Sequence, residues 1–177
     1  MRQKRKEFLT IIPRIGTVLF AFWTSLVPVE AASIVTTIVS NPLTGVAMDG
    51  YDPISFFVDA EPAQGVADFE FDWGGVPWYF ANGANRDAFA RNPEVYAPQW
   101  GGHCPSSLAR GYLSDGKPQI WLVRDGRLYL FHSDANRDAF LDSPTATLAQ
   151  AQANWTVLVK GLNGPEPGMM PQAAKEP

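Results

Sequence analysis

The chain holds one cysteine and two histidines, and these side chains carry most of the chemistry its composition allows. His103 and Cys104 are adjacent and follow Gly101-Gly102, while His132 follows the apolar run Leu128 to Phe131. Thiolate and imidazole are the preferred protein ligands of soft and borderline metals such as Cu(I), Cu(II) and Zn(II). If the segments around 104 and 132 pack together, Cys104, His103 and His132 form a three-ligand metal site with an open position for water or a partner. A finger-type structural zinc site is excluded by the single cysteine. The same residue types admit other roles. A lone cysteine is often a small buried hydrophobe, and a Cys–His pair is also the centre of a thiol-dependent enzyme. Consecutive residues of an extended segment point to opposite faces. His103 is therefore badly placed to activate Cys104, so His132 would be the base and Asp52 would orient it. No nucleophile elbow accompanies the thiol. Gly74-Gly75 and Gly101-Gly102 lack the pattern and the lysine of a phosphate-cradling loop. Met169 and Met170 add two soft donors in the C-terminal tail.

The elements that must position these residues are legible as an internal near-repeat. Trp78-Tyr79-Phe80 followed by Ala84-Asn85-Arg86-Asp87-Ala88-Phe89 returns, 51 residues later, as Tyr129-Leu130-Phe131 followed by Ala135-Asn136-Arg137-Asp138-Ala139-Phe140. Ahead of each stands a strand-like run, Phe69 to Trp73 alternating apolar and acidic or the apolar Ile120 to Val123, and a turn dipeptide, Gly74-Gly75 or Asp125-Gly126, that supplies positive φ at low cost. After each comes a short helix with Asn82 or Ser133 as N-cap and Asn92-Pro93 or Ser143-Pro144 as the stop. Phe89 and Phe140 read as core, and Arg86 and Asp87 as solvated helix charges. A further helix over about Thr145 to Leu162 carries Leu148, Ala151, Trp155, Leu158 and Val159 as an amphipathic stripe. The expected fold is a small α+β domain of two β-hairpin-plus-helix units with a C-terminal helix.

The N-terminus sets the compartment. Arg2, Lys4, Arg5 and Lys6 precede a 13-residue apolar run, Ile15 to Val27, and Val29-Glu30-Ala31 offers small residues at a cleavage site after Ala31. A span needs about 20 residues, so the run reads as a signal peptide rather than an anchor. The organisation expected is a signal at 1–31, a linker or leading strand at 32–45, the domain at 46–162, and a Pro/Gly-rich disordered tail at 163–177. The exported part carries nine basic and sixteen acidic residues, a net charge near −7. Such a surface does not suit nucleic acid, whose affinity depends on Lys and Arg at phosphates. After signal cleavage no membrane span is expected, and the protein is periplasmic or secreted.

Gly50-Tyr51-Asp52-Pro53-Ile54-Ser55-Phe56-Phe57 resembles the GYDPVAYF opening of exported YHS-domain proteins. Tyr96-Ala97-Pro98-Gln99-Trp100-Gly101-Gly102-His103-Cys104 resembles that family's YAPQYGGYC segment, and Phe131-His132-Ser133 its Tyr-His-Ser triplet. The resemblance covers about residues 46–160. It implies a small α+β domain associated with heavy-metal handling, without a defined reaction. The chain departs from the pattern at His103, where the family has an aromatic residue, and at Pro105-Ser106-Ser107. The function expected is therefore that of an exported, non-enzymatic binding domain for a heavy-metal ion such as copper, or for a small ligand, at Cys104, His103 and His132. The alternatives are a protein-interaction module anchored by aromatics such as Trp78 or Trp100, and a thiol-dependent enzyme. Protein recovered from its native host is expected to have an intact mass lacking residues 1–31; a mature chain retaining Phe20 to Val27 would contradict cleavage after Ala31.

Overall fold

The computed structural model describes residues 37–162. The segment read as a signal and the C-terminal tail lie outside the described residues. A 3-10 turn at Met48–Gly50 leads to α1 (Ser55–Val58), then to the hairpin β1 (Val66–Trp73) and β2 (Val76–Phe80), then to α2 (Gly83–Arg91) and the short α3 (Pro93–Tyr96). A second 3-10 turn, Gln99–Gly102, leads to α4 (Pro105–Ala109), the hairpin β3 (Lys117–Arg124) and β4 (Arg127–Phe131), α5 (Asp134–Asp142) and α6 (Pro144–Leu162). The protein is thus a small α+β fold of two antiparallel hairpins, each followed by helices, with a C-terminal helix. Among the described residues no helix is long and apolar enough to cross a membrane.

The two halves repeat each other down to their irregularities. Each hairpin forms its own two-stranded sheet, and each has a register shift at the same place, between Val66 and Glu70 and between Lys117 and Trp121. The tight turns place both central residues at positive φ, Gly74 and Gly75 in one, Asp125 and Gly126 in the other. This geometry matches the twist of the flanking strands. Asn82 Oδ1 accepts from the Asn85 N–H at 2.9 Å, and Ser133 Oγ accepts from the Asn136 N–H at 3.3 Å. Both helices therefore start on the cap the sequence supplies.

The repeat also extends upstream, in a register one residue different. Gly50-Tyr51-Asp52-Pro53 corresponds to Gly102-His103-Cys104-Pro105. The Asp52 N–H donates to Ala63 O, and the Cys104 N–H to Ser114 O, each at 2.9 Å. Tyr51 forms a bridge with Gln64, and His103 with Asp115. Gly65 N–H donates to Gly50 O at 2.8 Å, and Gly116 N–H to Gly102 O at 2.9 Å. Each half is therefore a looped head followed by a hairpin and a helix.

Packing follows the period-two alternation of the inner strands. Trp78 and Phe80 of β2 face Phe89 of α2, and Tyr129 and Phe131 of β4 face Phe140 of α5. The other face of β4, Leu128 and Leu130, belongs to the core of the first half. Phe56 of α1 meets Trp121 of β3 edge-on, with centroids 5.4 Å apart. Ile38, from the segment read as a linker or leading strand, is buried in the same core. Phe89 lies within 6.3 Å of four rings, those of Phe71, Trp73, Trp78 and Phe80. Among the described rings, Phe140 lies against two, those of Tyr129 and Phe131. Phe89→Ala and Phe140→Ala should each cost about 3–5 kcal/mol. Because the two rings sit in separate clusters, the losses should add within about 0.5 kcal/mol. Denaturant unfolding of the singles and the double checks this, and an unchanged midpoint in Phe140→Ala would break the equivalence.

Candidate functional site

Cys104, His103 and His132 all lie around one short segment, Ser114-Asp115, but their side chains enter different surroundings. Cys104 is fully buried and packs with Tyr129, Phe131 and Phe140. Its sulfur accepts from Asn136 Nδ2 at 3.5 Å. His103, 8 % exposed, lies against the indole of Trp155, with centroids 5.6 Å apart. His132 is exposed, and its Nδ1 lies 3.0 Å from the carbonyl oxygen of Asp115. Extended backbone at 103 and 104 sends neighbouring side chains to opposite faces, as the sequence suggests. Among the described residues no three His, Cys, Asp or Glu side chains are disposed to hold a metal ion.

The internal repeat explains the thiol's surroundings. Cys104 stands where the first half has Asp52, which is also fully buried. Asp52 Oδ1 accepts from the Ile54 N–H at 2.8 Å, and Oδ2 accepts from the Ala81 N–H at 2.9 Å and from Asn85 Nδ2 at 2.6 Å. Asn85 and Asn136 are equivalent residues of the repeated helix, so each donates its amide to the buried group of its own half. Asp52 spends its oxygens on these donors and does not orient a histidine. The signal for this was present in the sequence, as Gly-x-x-Pro in both heads, but the exchange of carboxylate for thiol conceals it.

His103 is the anomalous group. Neither ring nitrogen has a hydrogen-bond partner although both are buried. Burial lowers its pKa below the usual histidine value; the Asp115 carboxylate, 3.7 Å from Nδ1, and the backbone at Ser114 oppose this, but neither meets the ring in hydrogen-bond geometry. Burial beside the Trp155 indole thus favours the neutral imidazole.

Trp155 in turn belongs to a cleft that no local motif announces. Trp73 at the end of β1, Trp100 in the second 3-10 turn and Trp155 on α6 line an open cavity of about 350 Å³, together with Ile38, Glu94 and Gln99. Trp100 has φ 52° and ψ 37°, a left-handed conformation rare for a bulky residue and costly by about 1–3 kcal/mol. Its surroundings hold it there. Tyr129 packs on the indole with centroids 5.9 Å apart, and Trp100 Nε1 donates to Gln152 Oε1 at 3.2 Å. Gly101, also left-handed, lets residues 37–39 pass against the turn, where a side chain would strike the Thr37 carbonyl. Gly101 O then accepts from the Val39 N–H at 2.8 Å. Gln152 and Trp155 lie one turn apart on α6, so the face that fixes Trp100 also lines the cleft. Trp78, by contrast, is wholly buried and donates its Nε1–H to Trp73 O at 2.9 Å, so it is no surface anchor.

A histidine buried neutral favours the folded state at high pH. Its contribution is fully present above the unfolded-state pKa of about 6.5 and is lost as pH falls from there through the lower folded-state pKa. Between pH 7.5 and pH 5 the wild type should therefore lose unfolding free energy relative to His103→Phe. A pH-independent difference between the two would show that His103 is not held neutral. The chain matches no protein-family model, no curated protein and no solved structure, so the cleft and the thiol stand on their geometry alone.

Proposed function

We propose that this is an exported, non-enzymatic binding domain whose ligand site is the tryptophan-lined cleft, and that its ligand is a small molecule. The observation that carries this is Trp100. A bulky residue kept in a strained left-handed turn, in tilted contact with Tyr129 and tied to α6 through Gln152, gives the cavity wall a fixed indole. Strain held by its surroundings is characteristic of sites that need a preorganised group. The cavity of about 350 Å³ is at the small end of the range for small-molecule pockets. The absence of an exposed thiol argues for binding rather than thiol catalysis, since a nucleophile must be reached by its substrate and Cys104 is 0 % exposed. The resemblance to exported YHS-domain proteins agrees with export and with a binding role.

A copper-binding role for Cys104, His103 and His132 is the second reading. It is favoured by the gathering of all three around Ser114-Asp115 and by the two unpartnered ring nitrogens of His103. It requires the thiol and the imidazole to turn toward one another. One set of two-dimensional NMR spectra separates the readings. Fragments from a small-molecule library should shift the indole N–H signals of Trp73, Trp100 and Trp155 together and leave those of Trp78 and Trp121 in place. Fragment hits that never touch those signals would remove the cleft reading. Added Cu(I), retained against a competing chelator by wild type and lost by Cys104→Ser, would instead establish the metal site.

A further inference from the structure

We infer that the cleft selects organic cations, in particular a quaternary or alkylated ammonium group; the inference rests on the ligand-site reading above. The chemistry of the lining is specific. Its aromatic members are all tryptophans, Trp73, Trp100 and Trp155, and its single charged member is Glu94. The indole face carries the strongest negative quadrupole among protein rings and attracts cations placed over it, most strongly when water is partly excluded. An alkylated ammonium is well matched to such a surface, because its methyl groups pack on the rings while its charge is not held by a tight hydration shell. Glu94 is exposed and has no salt-bridge partner among the described residues, so its carboxylate is free to serve a cationic guest.

The nearby basic group works against a cation only at the Gln99 side of the cleft. Arg127 donates from Nη1 to Gln99 Oε1 at 3.0 Å and is outside the lining itself. That bond occupies the Gln99 oxygen and leaves the Glu94 carboxylate as the anionic acceptor of the cleft. An anionic ligand would meet Glu94 with no lysine or arginine in the wall to neutralise it. The excess of acidic residues over the whole chain, with a formal charge of −4, raises the local concentration of cations in the same sense.

The test pairs choline with its neutral carbon isostere, 3,3-dimethylbutan-1-ol, which has the same shape and hydroxyl but no charge. The purified full chain is titrated with each, following tryptophan fluorescence and the three indole N–H signals. Choline should bind with those signals moving, and the isostere about tenfold more weakly. Glu94→Gln, a surface substitution that leaves the packing intact, should weaken choline about fivefold and leave the isostere unchanged. Trp100→Ala should abolish the response to both. Equal affinity for choline and the isostere would overturn charge selection while leaving the cleft as a ligand site. So would neutral fragments that occupy the cleft when choline does not. Choline binding that Glu94→Gln and Trp100→Ala both leave untouched would place the cation elsewhere and also overturn it.

Discussion

The first half of this fold is tied together at one buried carboxylate. Asp52 is removed from water with no cation beside it, and three N–H donors take the place of its hydration. The donors come from its own turn, from the end of β2 at Ala81 and from the first turn of α2 at Asn85. A buried charge without such donors is prohibitively costly, so the head loop, the hairpin and the helix are tied at one point. Removing any one donor weakens all three attachments, because an unpaired lone pair in the interior costs more than the bond itself contributes.

The second half solves the same geometric problem without a charge. Cys104 receives a single long contact from Asn136 and otherwise packs among aromatic rings. What the sulfur lacks in hydrogen bonding is offset by β4, whose residues are buried on both faces, and by α6, which packs against α4. α6 runs for 19 residues from Pro144, where its counterpart in the first half, α3 from Pro93, stops after four. It also creates the asymmetry that matters for binding, since the tryptophan cleft forms where α6 approaches the turn at Trp100. The residue of the first half that matches Trp100 in backbone conformation is Met48, and no helix is laid against it in the same way.

What the sequence discloses about this protein follows from how each signal is written. The hairpins and helices are local patterns, with turn dipeptides, caps and a literal repetition of Ala-Asn-Arg-Asp-Ala-Phe, and they are placed correctly. The repeat of the heads is hidden because one residue separates the two registers and because aspartate and cysteine share no chemistry. Trp78 looks like an available aromatic and is wholly buried, since nothing in Val-Pro-Trp-Tyr-Phe tells which face of β2 is covered. The cleft is invisible at the level of sequence. Trp73, Trp100 and Trp155 belong to a strand, a turn and a helix far apart along the chain, and only tertiary packing brings them to one cavity. His103 and Cys104 are adjacent in a way that suggests joint chemistry, yet the extended backbone between them sends one to Trp155 and the other to the core.

The likeness of the two halves also sets a problem for the folding chain. Each hairpin has the register, turn and helix to dock on either head, and in a crowded compartment on the head of a second molecule. Wrong docking places Asn136 against a carboxylate and Asn85 against a thiol, contacts that are polar enough to form. The choice is made by the rings instead. Phe56 of the first head meets the indole of Trp121 in the second hairpin, and the first hairpin has Glu70 at the matching position. Divergence between the copies thus acts as an address, marking one hairpin apart from the other at the surface of the head.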